Sequence, residues 1–101
     1  GPPKIVRLHG QGRVVTRSDP DWAAWCGTFP PMAAPRSVIV VDVSRISDSC
    51  GYGVPVLEYS EDRQVLERWV ATHGAETLPA YRREKNRLSI DGLPAIDEGD
   101  A

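Results

Sequence analysis

Cysteine and histidine are scarce here, two of each in 101 residues, and the chain has a single methionine. Cys26 and Cys50 stand far apart and neither sits in a C-x-x-C pair, which removes the common redox and zinc-ribbon signatures. His9 and His73 are equally isolated, so no ligand set at metal-binding spacing exists. Charge of one sign is missing too: twelve basic against fourteen acidic side chains leave a formal net charge of −2. That balance takes away the bulk electrostatic case for nucleic acid or an anionic membrane as partner. No apolar stretch approaches the length of a membrane span. No basic, then apolar, then small-residue leader opens the sequence, and the default expectation is the cytoplasm. Because the one methionine is Met32, Gly1-Pro2-Pro3 reads as a processed end or as the edge of a fragment.

What is present is ordinary for a globular domain: 41% apolar and 26% charged residues. The length suits one domain with a modest core. From Lys4 to Thr16 the side chains alternate, Val6, Leu8, Gly10, Gly12 and Val14 on one face, Arg7, His9, Gln11 and Arg13 on the other. The phase continues through the glycines, which predicts one long strand; a hairpin at Gly10-Gln11 is the rival and would set Leu8 against Arg13. In a continuous strand, Gly10 and Gly12 leave backbone uncovered for close approach by another backbone or a flat ligand.

Ser18-Asp19-Pro20 predicts a helix start with Asp19 as N-cap, followed by Trp22, Trp25, Cys26 and Phe29 at helical spacing up to Gly27 and Pro30-Pro31. Ser37 to Ser47 is the strongest strand signal, apolar on both faces over Val38–Val41, and Val54 to Tyr59 reads as a further strand. Ser60-Glu61-Asp62 is expected to cap a helix whose buried stripe is Val65, Leu66, Trp69 and Val70, closed by Gly74. A last helix starts near Pro79 with Leu78 and Tyr81 inward, and runs into a charged, solvated stretch from Arg82 to Arg87. An extended tail follows. The order of elements is α+β and not a βαβ series.

No strong catalytic motif occurs. Gly10-x-Gly12 lacks the third glycine and the following helix of a dinucleotide fingerprint, and neither a phosphate-binding loop nor a Ser/His/acid set is visible. The most unusual segment is Ser47-Asp48-Ser49-Cys50-Gly51-Tyr52-Gly53-Val54-Pro55, expected as a loop between two strands. It reads either as the polar mouth of a pocket or as a tight turn in which Ser and Asp satisfy local backbone donors. Cys50 is a structural thiol or, in an accessible glycine-rich loop, a redox-active one, although no basic residue neighbours it in sequence to activate it.

Ile5-Val6-Arg7-Leu8-His9-Gly10-Gln11-Gly12-Arg13-Val14-Val15, Asp42-Val43 with Ser47 to Pro55, Glu84-Lys85-Asn86, and Ser89-Ile90-Asp91-Gly92-Leu93-Pro94 together resemble the C-terminal half of the pyridoxamine 5′-phosphate oxidase-like, flavin-binding split-barrel family. The resemblance runs from about Lys4 to Ile96. It implies a partial split β-barrel with flanking helices, since the family's earlier strands precede the point that matches Gly1. It further implies FMN bound at the interface of a homodimer, and flavin-dependent redox chemistry on a small molecule. Ser49, Cys50, Tyr52 and Ser89 are the cofactor-binding residues it suggests. The true oxidases place a Trp and an Arg in the tail, where this chain has Leu88 and Gly92, which argues against pyridoxamine phosphate as substrate. Residues 1–96 are thus expected to be the C-terminal part of a flavin-binding domain, and 97–101 a disordered acidic tail. The alternative from another class is a non-catalytic split-barrel fragment acting as a self-association module, because an incomplete barrel exposes strand edges and apolar faces.

Overall fold

A computed structural model describes residues 1–95, so the tail expected at 97–101 lies outside the described residues. The architecture is α+β, and the chain divides into two compact units. The first comprises Gly1–Val14 with Ile39–Asp62; the second takes Val15–Val38 and the chain from Arg63 onward.

Alternation prevails over the paired glycines, and the first strand, β1, is continuous over Lys4–Thr16. Its partner β2 spans Ser37–Cys50, and the two form a two-stranded sheet. The strands run antiparallel: the Gly51 N–H donates to the Pro3 carbonyl at 2.8 Å, near the start of β1, whereas Gly10 lies against Asp42 and Val43. β2 therefore runs three residues beyond its expected end. Ser47, Asp48, Ser49 and Cys50 belong to the strand rather than to a loop, and the connection proper begins at the buried Gly51. No strand forms at Val54–Tyr59. Pro55 removes a ladder donor, and Val56 and Leu57 stand 97% and 84% exposed with no sheet face to lie on.

At the end of β1 the Asp19 carboxylate accepts the Thr16 N–H at 2.6 Å and the Thr16 hydroxyl at 2.9 Å. Asp19 closes the turn out of the strand instead of capping the helix, which corrects the N-cap expectation. The helix, α1, is the single turn Trp22–Cys26, and the carboxylate of its N-cap Asp21 accepts the Trp25 indole N–H at 2.9 Å. Ser60-Glu61-Asp62 does not cap the next helix either; α2 spans Val65–His73 behind Gln64. Gly74 ends it at φ 83°, a conformation in which only glycine is unstrained. Of the expected stripe, Val70 is buried, Trp69 is half-buried, and Val65 and Leu66 are exposed. Trp69 stacks on His73 at 4.3 Å between ring centroids and meets Tyr81 at 5.1 Å. One 3-10 turn, Ala75–Thr77, leads into α3, Leu78–Lys85, anchored by buried Leu78. Arg82 departs from the solvated reading of the charged stretch, since it is half-buried and donates to the Ala34 carbonyl at 3.2 Å. The tail after Arg87 is folded back rather than extended. Leu88 bridges Pro94, the Ser89 N–H donates to Leu93 O at 2.9 Å, and Gly92 takes φ 75° at the bend.

Among the described residues the buried apolar side chains, Val15, Val38, Val70 and Leu78, all belong to the second unit. In the first unit Val6, Leu8 and Ile46 stand 60%, 62% and 67% exposed, so the sheet's apolar positions are open. Those residues form a face that soluble proteins ordinarily cover.

Candidate functional site

The open end of the sheet holds a cavity of about 240 Å³, lined by Pro2, Pro3, Lys4, Asp48, Ser49, Cys50 and Tyr52. Three of the four residues singled out from the sequence, Ser49, Cys50 and Tyr52, are brought together in its wall. Gly51 favours this closure: a Cβ there would sit 3.0 Å from the Pro3 carbonyl carbon and 3.2 Å from the Lys4 nitrogen, so a side chain would require the start of β1 to give by a few tenths of an ångström. The fourth residue, Ser89, is not among the lining residues. Its hydroxyl oxygen accepts the Asp91 and Leu93 N–H groups at 3.2 and 3.1 Å, which makes it the fastener of the tail turn.

Lys4 and Asp48, not foreseen from the sequence, face each other across the strands at 3.0 Å. Both are more than half exposed, so the pair fixes position more than it stabilises. The cavity thus offers an ammonium, a carboxylate, two hydroxyls and a thiol beside two apolar proline rings. Cys50 is an exposed free thiol.

Next to the cavity lies a polar network on the strand face carrying Arg7 and His9. The Arg7 guanidinium donates to Ser49 Oγ at 2.9 Å, and His9 Nε2 shares a hydrogen bond with Ser47 Oγ at 3.1 Å. The Arg45 Nη2 is 3.4 Å from both ring nitrogens of His9. A nitrogen equidistant from both is well aligned with neither lone pair, so these contacts are weak. The alternation in β1 put Arg7 and His9 together, but reading Ser47–Cys50 as a loop concealed their partners. Among the described residues no group of three or more His, Cys, Asp or Glu side chains is arranged to hold a metal.

The chain is similar to the pyridoxamine 5′-phosphate oxidase family protein ustO of Aspergillus flavus, with 29% identity over 111 aligned positions. The match takes in 93% of this chain. The resemblance to the pyridoxamine 5′-phosphate oxidase family is borne out. The chain spans 44% of the length of that relative. No family model matches, and no solved structure does. Among the described residues no helix is long and apolar enough to cross a membrane.

Proposed function

We propose that this chain is the C-terminal part of an FMN-binding protein of the pyridoxamine 5′-phosphate oxidase-like type, one that performs flavin-dependent redox chemistry on a small molecule as a homodimer. The observation that carries the reading is the similarity over 93% of the chain to a protein named for that family. The convergence of Ser49, Cys50 and Tyr52 on one cavity supports it.

The residues present suit part of such a cofactor. Pockets that enclose a ligand run to about 300–1,000 Å³, and a cavity of about 240 Å³ is smaller. It admits one edge or one polar end of a flavin, with the Ser49 and Tyr52 hydroxyls and the Lys4 ammonium as donors and Pro2 and Pro3 as an apolar wall. The flavin, when bound, supplies the two-electron chemistry; the protein supplies binding and orientation. The remainder of the pocket comes from a second copy or from protein outside this chain, and so does the cover for the open face at Val6, Leu8 and Ile46.

That open face favours the second reading as well, a non-catalytic module that uses it for self-association. One titration separates the two. FMN is added to the purified full chain, then to the longest protein containing it, while visible absorbance and flavin fluorescence are recorded. Saturable quenching weakened by Tyr52→Phe is the expected result for the longer protein. Absence of flavin binding in both, with a concentration-dependent dimer, leaves the module reading in place.

A further inference from the structure

We propose that the segment Val54–Tyr59 is a docking strand that adds to the outer edge of β1 in a second copy of this chain, each copy giving one strand and receiving one. It rests on the homodimer reading and names which segment meets which edge. The segment is rich in strand formers, yet within one copy it joins no ladder, and Val54, Val56, Leu57 and Tyr59 all stand in solvent. β1 in turn is paired on one side only, because the sheet has two strands. An unpaired edge is a ready template for an added strand.

Charge selects the surface that receives it. β1 carries Lys4, Arg7 and Arg13 and no acidic residue, whereas Val54 to Asp62 carries Glu58, Glu61 and Asp62 and no basic one. Within one copy the two sets do not meet: Lys4 pairs with Asp48, Arg7 donates to Ser49 Oγ at 2.9 Å, and Glu58 and Glu61 are exposed. Both halves of the match lie on the same chain, so the exchange is self-complementary and closes with two copies.

Proline sets the register. Successive residues of a strand aim their N–H and C=O groups at opposite edges, so Pro55, which has no N–H, faces outward and Val54, Val56 and Glu58 bond β1 of the partner. Side chains alternate in step. Leu57 and Tyr59 then extend the open apolar face of Val6, Leu8 and Ile46, while Glu58 falls on the opposite face, the one that carries Arg7. Pro55 on the new outer edge also keeps a third copy from adding.

The test is sedimentation of the full chain across micromolar concentrations at low ionic strength, with circular dichroism as the check on folding. A dimer is expected. Leu57→Ser should weaken it by about tenfold or more with the fold unchanged, since Leu57 is exposed in the single copy. Glu58→Arg and Arg7→Glu should each weaken it too, and an equimolar mixture of those two variants should dimerise again, because each then meets its opposite charge on the other chain. A dimer indifferent to Leu57→Ser and to both charge reversals overturns the exchange and leaves the homodimer reading standing. A monomer at every concentration overturns both. Failure of the mixture to recover, while one chain carrying both reversals is as stable as the original, places the segment on its own β1 and also overturns the exchange.

Discussion

Gly10→Ala is the sharpest test of the strand pairing. A Cβ at Gly10 would overlap the Asp42 carbonyl oxygen, and it would stand 2.8 Å from the Asp42 carbonyl carbon and 3.0 Å from Val43 Cα. All three atoms are backbone, so no side-chain rotation relieves the clash and the strands must part. Parting them by about an ångström forfeits one or two ladder hydrogen bonds at about 1 kcal/mol each. The overpacking strain adds about 1–3 kcal/mol. The expected loss is about 2–5 kcal/mol, on the order of 10–40 °C in Tm for a chain of this size. Gly12→Ala is the internal control, because nothing lies within 4 Å of a Cβ there; it should be neutral or stabilising by up to about 1 kcal/mol, since alanine costs less backbone entropy than glycine. Urea denaturation of both variants, read by tryptophan fluorescence and circular dichroism, decides the matter. Equal stability of the two, within about 0.5 kcal/mol, would refute the close approach of β2 to Gly10 and return the glycine gap to a flat ligand.

Other consequences follow from burial and bonding. In α2, Val70→Ala should cost about 2 kcal/mol and Leu66→Ala under about 1 kcal/mol in the same denaturation assay, because the first side chain is 4% exposed and the second 66%. Trp69→Ala, half-buried against His73 and Tyr81, should fall between about 2 and 3 kcal/mol, below the cost of a fully enclosed tryptophan. Asp19→Ala removes the one carboxylate oxygen that accepts both the N–H and the hydroxyl of Thr16, a residue 8% exposed, and should lower stability by about 1–3 kcal/mol. The Tyr59 phenol is held above its ordinary 10.0, chiefly by the hydrogen bond to Asp62 and then by partial desolvation. With the folded value raised, any stability the phenol contributes is present below the unfolded value and lost as pH climbs through the folded one. Ultraviolet difference titration should therefore find a midpoint above 10.0 that Asp62→Asn moves down; an unmoved midpoint refutes the contact.

Sequence alone determined what depends on local periodicity and local chemistry. The strand Lys4–Thr16 kept its boundaries because alternation is a property of the strand itself, and Gly74 ended α2 because positive φ is a property of the residue. The family resemblance likewise rested on residues in order, and so did the gathering of Ser49, Cys50 and Tyr52, which are near neighbours in the chain. Pairing across the chain decided the rest. Ser47–Cys50, rich in turn-forming residues, became strand because β1 offered it hydrogen-bond partners; Val54–Tyr59, rich in strand formers, stayed irregular because nothing did. Asp19 turned back to Thr16 instead of forward to the helix, a choice between two acceptor geometries that sequence spacing alone leaves undecided. Val65 and Leu66 have the spacing of a buried stripe, but burial requires an opposing surface, and here that surface reaches Val70 and not the first turn of α2. Lys4 with Asp48 and Arg7 with Ser49 became neighbours for the same reason: each pair lies more than forty residues apart in sequence, and antiparallel register brought them within 3.0 Å.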